Sequence, residues 1–218
     1  MKKMLLRKQG FQAIISDMDG TLSDTETLFG DVLIATCKDH YNIDVTMEEA
    51  LQNMGLSTSD FFSRIFASHN LQYSIEEARL KQASEYRRRL LSEARFMPEA
   101  EEFIEKLKRT QLPLGLVSGS SRNEIDIILQ KLNIADLFTA IVSCKELQRR
   151  KPDPEGYLHA ARLLNVLPHH CLVFEDTHWG VQAAKNAGMF CIGVQHLKEQ
   201  DLSCANMRLR NLSEIEFE

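Results

Sequence analysis

The sequence predicts an α/β protein, with a doubly wound parallel sheet and an inserted helical domain. From residue 97 onward, short apolar runs alternate with helical patterns, which is typical of a parallel sheet covered by helices on both faces. By contrast, residues 24–95 contain helical signals and no convincing strand, and this segment is far longer than a crossover helix requires. We therefore expect one α/β core domain made of 1–23 and 96–218, interrupted by a helical domain of 24–95.

Composition favours a globular protein that acts on a small molecule. The chain has 218 residues, of which 44% are hydrophobic, enough to bury a core. The net charge of −5 gives no support to nucleic-acid binding, which usually shows a basic excess. No run reaches about 18 apolar residues, and the apolar run near the N terminus is shorter than that of a signal peptide. We expect no membrane partner.

The cysteines indicate a reducing compartment. They are odd in number, widely scattered and without a CxxC pair: Cys37, Cys144, Cys171, Cys191 and Cys204. This pattern is typical of buried or incidental thiols, and we expect a cytoplasmic protein. The oligomeric state stays open, and a monomer is compatible with the sequence.

The first strand and the helical domain follow from local patterns. The apolar run 11–15 stops at a turn that presents Asp17 and Asp19, which predicts a buried strand. From the start of the helical domain onward, the S/T-x-x-E spacing of a capping box occurs at three places up to residue 95, the first beginning at its boundary, and each predicts the start of a helix. These pairs are Ser23 with Glu26, Thr46 with Glu49, and Ser74 with Glu77.

The elements after residue 96 alternate between helix and strand. Pro98 suits the first position of a helix, and Ser121 forms a further capping box with Glu124. Asp153 is the expected N-cap of a later helix, with Pro154 at its first position. Apolar runs predict strands over 112–117, 138–144, 171–174 and 189–194.

Polar residues follow the predicted strands at the points where the strands end. Asp17 and Asp19 follow the first strand, Ser118 follows the second, and the pair 175–176 follows a later one. Lys151 ends the loop before a helix. Ligands of open α/β sheets bind at the carboxyl ends of the strands, where the strand order reverses. We therefore expect these side chains to meet in one crevice.

The residue types in this crevice indicate phosphate chemistry. Four neighbouring carboxylates would raise one another's pKa unless a cation lay among them, and Mg²⁺ prefers oxygen ligands. Lys151 and Ser118 add a positive charge and a hydroxyl donor, while Gly119 and Ser120 offer backbone N–H groups at a helix start. The set predicts a metal-assisted site for a phosphate ester, with a carboxylate available as nucleophile.

Four motifs resemble those of the haloacid dehalogenase-like superfamily. They are Asp17–Thr21, Ser118 after an apolar strand, Lys151–Pro154 and Phe174–Thr177. Two further segments, Leu22–Glu26 and Gly180–Gly188, resemble the β-phosphoglucomutase-like branch, whose members carry a helical cap after the first motif. The resemblance implies a Rossmann-like core with the cap at 24–95.

The resemblance also implies a role for each residue. Asp17 would be the nucleophile that becomes an aspartyl-phosphate, and Asp19 would protonate the leaving group and then activate water. With Ser118 and Lys151 they form the expected catalytic set. The expected Mg²⁺ ligands are Asp17, Asp19 through its carbonyl, Glu175 and Asp176. The expected phosphate-binding residues are Met18, Asp19, Ser118, Gly119 and Lys151.

Single positions separate the reactions of this superfamily. Asp19 disfavours haloacid dehalogenases and phosphonoacetaldehyde hydrolases, which lack it. Sugar-phosphate mutases carry a His and an Arg where this chain has Phe29 and Thr58. We therefore predict a Mg²⁺-dependent phosphatase acting on a small phosphorylated metabolite. A mutase remains the alternative, and a non-catalytic phosphosugar-binding module is a third reading.

The cap is expected to select the substrate. The positions predicted to contact it are Glu26, Phe29, Asn53, Gly55 and Ser57. Phosphosugars, phosphoglycolate and nucleoside monophosphates remain open as substrates.

Overall fold

The structure, a computed structural model, describes residues 4–6, 10–52, 57–195 and 200–218. It divides into two compact units, which we call the core unit and the cap unit. The core unit combines Met1–Asp24 with Arg95–Glu218, and the cap unit is Thr25–Ala94. These bounds lie one residue from the predicted domain bounds.

The elements alternate in the core unit and are helical in the cap unit. In chain order they are β1 (Met4–Leu6), β2 (Ala13–Ser16), α1 (Thr25–Tyr41), α2 (Met47–Gln52), α3 (Thr58–Ser68), α4 (Ile75–Glu93), α5 (Ala100–Thr110), β3 (Leu114–Ser118), α6 (Arg122–Lys131), β4 (Phe138–Ser143), α7 (Glu155–Leu163), β5 (Cys171–Glu175), α8 (His178–Asn186), β6 (Phe190–Val194), β7 (Met207–Leu209) and β8 (Ile215–Phe217).

The main sheet of the described residues has six strands, all parallel, in the order β4-β3-β2-β5-β6-β7. From β2 the chain builds β3 and β4 on one side and then returns to build β5, β6 and β7 on the other. The strand order therefore reverses at β2. Every residue of β2, β3 and β5 is buried, as expected of strands covered on both faces. The predicted doubly wound α/β fold is confirmed.

Several element starts agree with the sequence patterns. The capping box of Ser121 and Glu124 is present at the start of α6. In the cap unit, the Thr46 hydroxyl accepts a hydrogen bond from the backbone N–H of Glu49, and the Glu49 carboxylate accepts one from Thr46. Ser74 likewise accepts from the backbone N–H of Glu77 at 3.2 Å. These side chains pair the otherwise unpaired N–H groups of the first helical turn.

Other starts differ from the prediction. Helix α5 begins at Ala100 and not at Pro98, because Glu99 before it has the left-handed φ of 63°. Helix α7 begins at Glu155, although Asp153 Oδ1 does accept a hydrogen bond from the backbone N–H of Glu155 at 3.0 Å.

The prediction missed β7 and the small parallel pair of β1 with β8. Strands of three residues are too short to show a period.

The cap unit has its own apolar core, formed mainly by α1, α3 and α4. The helical face predicted in α3 is buried in it: Phe61, Phe62, Ile65 and Phe66.

All five cysteines fall in the described part of the chain and are free thiols. Among the described helices, none is both long and apolar enough to cross a bilayer.

Candidate active site

The predicted site residues meet at the carboxyl edge of the main sheet. Asp17 directly follows β2, Ser118 ends β3, and Glu175 ends β5. Because β2 lies between β3 and β5, the ends of these strands are neighbours. Lys151 reaches the same edge from the loop between β4 and α7. The edge coincides with the reversal of strand order, where α/β folds bind ligands.

Lys151 joins two of the acids. Its Nζ lies 2.5 Å from Asp17 Oδ1 and 2.5 Å from Glu175 Oε1, and it donates a longer hydrogen bond to the Val117 carbonyl. Burial by itself lowers the pKa of Lys151, but the two carboxylates outweigh it and hold the pKa well above its usual range. The lysine is therefore a fixed positive charge at the end of β2.

Asp17 is buried, and its two oxygens have different surroundings. Oδ1 contacts Lys151, whereas Oδ2 has no hydrogen-bond partner in the part of the chain that the structure describes. Burial raises the pKa of Asp17 well above its usual value; Lys151 opposes this, and the charges of Glu175 and Asp19 add to it. A buried carboxylate oxygen without a donor is costly, so it indicates a position where a cation or a substrate binds.

Asp19 is held by two serines. Oδ2 accepts hydrogen bonds from Ser118 Oγ at 2.6 Å and from Ser120 Oγ at 3.0 Å. Ser118 Oγ in turn accepts from the backbone N–H of Ser120, and Ser143 Oγ donates to the Ser120 carbonyl at 2.7 Å. The carboxylate of Asp19 is thereby fixed over the end of β3. The sequence analysis considered Ser120 only for its backbone N–H and missed Ser143, although Ser143 ends β4 and Ser120 lies two residues after β3.

Asp176 packs against the turn that follows Asp19. Gly20 has a φ of 82°, and a Cβ at that position would overlap the Asp176 carboxylate. Thr21 Oγ1 donates to Asp176 Oδ1 at 2.9 Å. Glycine is therefore required here for two reasons, its left-handed backbone and the close approach of the carboxylate.

Glu175 is saturated with donors from the protein. Oε1 accepts from Lys151 Nζ and from Tyr157 OH, and Oε2 accepts from the backbone N–H groups of Asp176 and Thr177 and from Thr177 Oγ1. A Cβ at Gly180 would overlap this carboxylate, so only glycine leaves room for it at the start of α8. Glu175 is thus a fixed partner of Lys151.

The donor set fits a divalent cation. No described residue donates a hydrogen bond to Asp17 Oδ2, and the Asp176 carboxylate lies against Gly20, next to Asp19 in the chain. Across the described ranges, no three His, Cys, Asp or Glu side chains form a ready metal cluster. Mg²⁺ does not require one, because it commonly takes one or two carboxylates and completes its shell with water and phosphate oxygens.

Two predicted phosphate-binding residues form the turns around these acids. Met18 is buried, and its carbonyl accepts from the backbone N–H groups of Leu22 and Ser23, which closes the loop after β2. Gly119 is exposed beside Ser118, with open space where a Cβ would stand. Contact of either residue with phosphate stays a prediction.

The predicted substrate contacts lie in the cap unit. Phe29 packs edge to face on Tyr86, with ring centroids 5.2 Å apart, and Ser57 caps α3 through its hydrogen bonds with Asp60. Glu26 lies in the first turn of α1. Asn53 and Gly55 lie outside the described residues. A role in substrate binding stays a prediction for all five.

A comparison of the sequence with protein-family models shows to which family the chain belongs. Residues 14–194 match the family model described as haloacid dehalogenase-like hydrolase, and this span includes all four motifs. The chain belongs to the haloacid dehalogenase-like hydrolases. The predicted resemblance, including its β-phosphoglucomutase-like branch, is thereby confirmed.

Individual relatives of this haloacid dehalogenase-like hydrolase cover most of its length. A phosphorylated carbohydrates phosphatase of Thermotoga maritima is 32% identical, over 85% of this chain and 86% of the relative. A β-phosphoglucomutase of Bacillus subtilis is 31% identical, over 95% of this chain and 92% of the relative. A solved structure from T. maritima, assigned as a β-phosphoglucomutase, has a TM-score of 0.82 at 28% identity and covers 94% of this chain and 96% of its own. The chain is a phosphoric monoester hydrolase, as the sequence predicts.

Proposed function

We propose that this hydrolase is a Mg²⁺-dependent phosphatase that acts on a small phosphate monoester, such as a phosphosugar, through an aspartyl-phosphate on Asp17. The observation that carries the proposal is the Asp17 carboxylate: one oxygen is held by Lys151, and the other is buried with no hydrogen-bond donor among the described residues. The similarity to a phosphorylated carbohydrates phosphatase supports the substrate class.

In the first step, a carboxylate oxygen of Asp17 attacks the phosphorus and forms the O–P bond of an acyl phosphate. Lys151 balances the negative charge of the phosphoryl oxygens, because its ammonium group is fixed beside Asp17. Asp19 gives its proton to the oxygen of the leaving alcohol as the P–O bond breaks. Ser118 and Ser120 hold Asp19 by Oδ2, which fixes the direction of the carboxyl group.

In the second step, Asp19 takes a proton from a water molecule, which attacks the phosphorus. The P–O bond to Asp17 breaks, inorganic phosphate leaves, and both aspartates return to their starting states. One group thus acts as acid and then as base.

The proposed cation ligands are Asp17, Asp176 and the backbone carbonyl of Asp19, and Mg²⁺ would supply charge compensation for the phosphoryl oxygens. Without a cation, burial and the neighbouring acids raise the pKa of Asp17, which works against a charged nucleophile. Because five protein donors already engage Glu175, we assign it to the support of Lys151 rather than to direct coordination.

The mutase remains the alternative, since a β-phosphoglucomutase is among the relatives. The structure gives it no specific support: at one of the two positions that separate the reactions, Phe29 is an apolar ring packed on Tyr86.

A panel of phosphosugars, phosphoglycolate and nucleoside monophosphates tests the proposal, with release of inorganic phosphate as the measurement. We expect release from at least one substrate in Mg²⁺, and none in EDTA or from the Asp17→Asn variant. Conversion of glucose 1-phosphate to glucose 6-phosphate without phosphate release would favour the mutase. Phosphate binding without turnover of any substrate would favour the non-catalytic module.

A further inference from the structure

Tyr157 is a buried polar residue that the mechanism above does not use. It lies in α7, its side chain is 0% exposed, and it is among the largest fully buried side chains of the described residues. Its neighbours in the core cluster are apolar, among them Val117, Ala160 and Val173. A phenylalanine would fill that volume without burying a hydroxyl, so the hydroxyl calls for an explanation.

The Tyr157 hydroxyl points at Glu175. It donates a hydrogen bond of 2.9 Å to Oε1, the same oxygen that accepts from Lys151 Nζ. The other oxygen of Glu175 is held by the backbone at the start of α8. Because the helix start fixes one end of this carboxylate, the tyrosine sets the direction of the other end.

Tyr157 also acts on Lys151 through its ring. Lys151 Nζ lies 5.4 Å from the ring centroid, within the distance of a cation–π contact. The ammonium group is thus bounded by Asp17 Oδ1, by Glu175 Oε1 and by the aromatic ring. Removal of the hydroxyl would free Glu175 Oε1 to turn and take Lys151 with it.

We propose that Tyr157 is a positioning residue of the phosphatase reaction: through Glu175 Oε1 and through its ring, it holds Lys151 Nζ against Asp17. The proposal rests on the proposed function, because it assigns Lys151 to the transferring phosphoryl group. By this proposal, Tyr157 contributes to catalysis as well as to the packing of the core.

The test is a double-mutant cycle of Tyr157→Phe with Glu175→Gln, read as kcat for phosphate release. Tyr157→Phe keeps the ring and removes the hydroxyl. We expect kcat to fall on the order of 10-fold in the wild-type background, from the loss of one hydrogen bond to a charged group. In the Glu175→Gln background we expect the same substitution to change kcat less than about 2-fold, since the effect passes through Glu175.

The matched control is Tyr41→Phe, which removes the hydroxyl of another buried tyrosine, in the cap unit, and should leave kcat unchanged. A merely structural role of Tyr157 would lower kcat by the same factor in both backgrounds, and that result would overturn the proposal. Unchanged kcat in Tyr157→Phe would overturn it as well.

A second measurement does not depend on turnover. Calorimetric titration with inorganic phosphate in the presence of Mg²⁺ should show weaker binding to Tyr157→Phe than to the wild type. A wild type that releases no phosphate from any substrate would count against the proposed function alone. The role of Tyr157 would then be decided by this titration, in which equal affinities would refute it.

Discussion

Asp17 and Glu175 lie at the carboxyl ends of neighbouring strands and share one lysine, yet they have opposite surroundings. Each places one oxygen 2.5 Å from Lys151 Nζ, and each is buried. The remaining oxygen of Glu175 accepts three hydrogen bonds, whereas that of Asp17 accepts none from residues 4–6, 10–52, 57–195 and 200–218. A carboxylate whose two oxygens both accept hydrogen bonds can only support its neighbours. A carboxylate with one unpaired oxygen can bind a cation or a substrate and react. The predictions below test this division.

Asp17→Asn should have the largest effect. An amide cannot attack phosphorus and form a stable acyl phosphate, so we expect kcat to fall by at least about 10⁴-fold, with the fold retained. The measurement is phosphate release, together with thermal unfolding. Asp136→Asn, an exposed aspartate before β4, is the matched control. Turnover at wild-type level in Asp17→Asn would assign the nucleophile to another residue.

Asp19→Asn should have the next largest effect, because general acid–base groups contribute about 10²–10⁴-fold. We expect both steps to slow, and the second step more than the first when the leaving alcohol is acidic. Comparison of kcat/KM, which reports the first step alone, between p-nitrophenyl phosphate and an alkyl phosphate measures the need for the proton, and we expect the larger loss on the alkyl phosphate. An equal loss of kcat/KM on both substrates would argue against the transfer of a proton to the leaving group.

Glu175→Gln should lower kcat only about 10-fold, because the nucleophile and the acid remain. It should also lower the free energy of unfolding by ~1–3 kcal/mol, since Lys151 loses one of its two buried carboxylate partners. Kinetics and urea unfolding measure the two effects, with the exposed Glu146→Gln as control. A loss of activity as large as that of Asp17→Asn would mean that the two acids share the chemistry.

Gly180→Ala should destabilise the protein by displacing the Glu175 carboxylate, although every catalytic side chain stays unchanged. The added Cβ would overlap the Glu175 carboxylate, so α8 or the carboxylate must shift, at about 1–3 kcal/mol of stability. Gly119→Ala, where no atom of a described residue lies within 4 Å of the added Cβ, should leave the free energy of unfolding unchanged. Equal stabilities of the two variants would contradict the close packing at the start of α8.

Glu124→Gln should have the smallest effect and none on activity. Burial raises the pKa of Glu124, but hydrogen bonds from Ser121 and the charge of Lys145 outweigh it and hold the pKa below its usual value. A lowered folded-state pKa means that the charge stabilises the protein above the unfolded-state pKa, and that this stability is lost as the pH falls through the folded-state pKa. We expect ~1 kcal/mol of destabilisation near pH 7 that disappears in acid. A pH-independent difference in urea unfolding would contradict this.

The fold and the outline of the site could be predicted because they rest on local patterns. Apolar runs give the central strands, and the polar residues directly after them give Asp17, Asp19 and Ser118. That these residues lie close together could be predicted because the carboxyl ends of parallel strands share one edge of the sheet. The edge strand β7 was missed because it has only three residues, one of them exposed.

The contacts that distinguish the acids could not be predicted. Tyr157 and Glu175 are 18 residues apart in the sequence, and Ser120 and Asp19 are 101 residues apart. No local sequence pattern therefore predicts either pair. Gly180 belonged to a recognised motif, but its reason, room for the Glu175 carboxylate, depends on the start of α8. Such distinctions come from packing around a buried charge.

The most direct test of the account is to locate the phosphoryl group on the protein. With p-nitrophenyl phosphate, whose acidic leaving group needs no proton, Asp19→Asn should accumulate the phosphorylated intermediate, because the water that cleaves it lacks its base. Rapid quenching in acid during turnover, followed by peptide mass spectrometry, should find one phosphoryl group on the peptide that contains Asp17, and hydroxylamine should remove it. A phosphoryl group on Glu175 or any other residue, or an unmodified protein during steady turnover, would contradict the assignment.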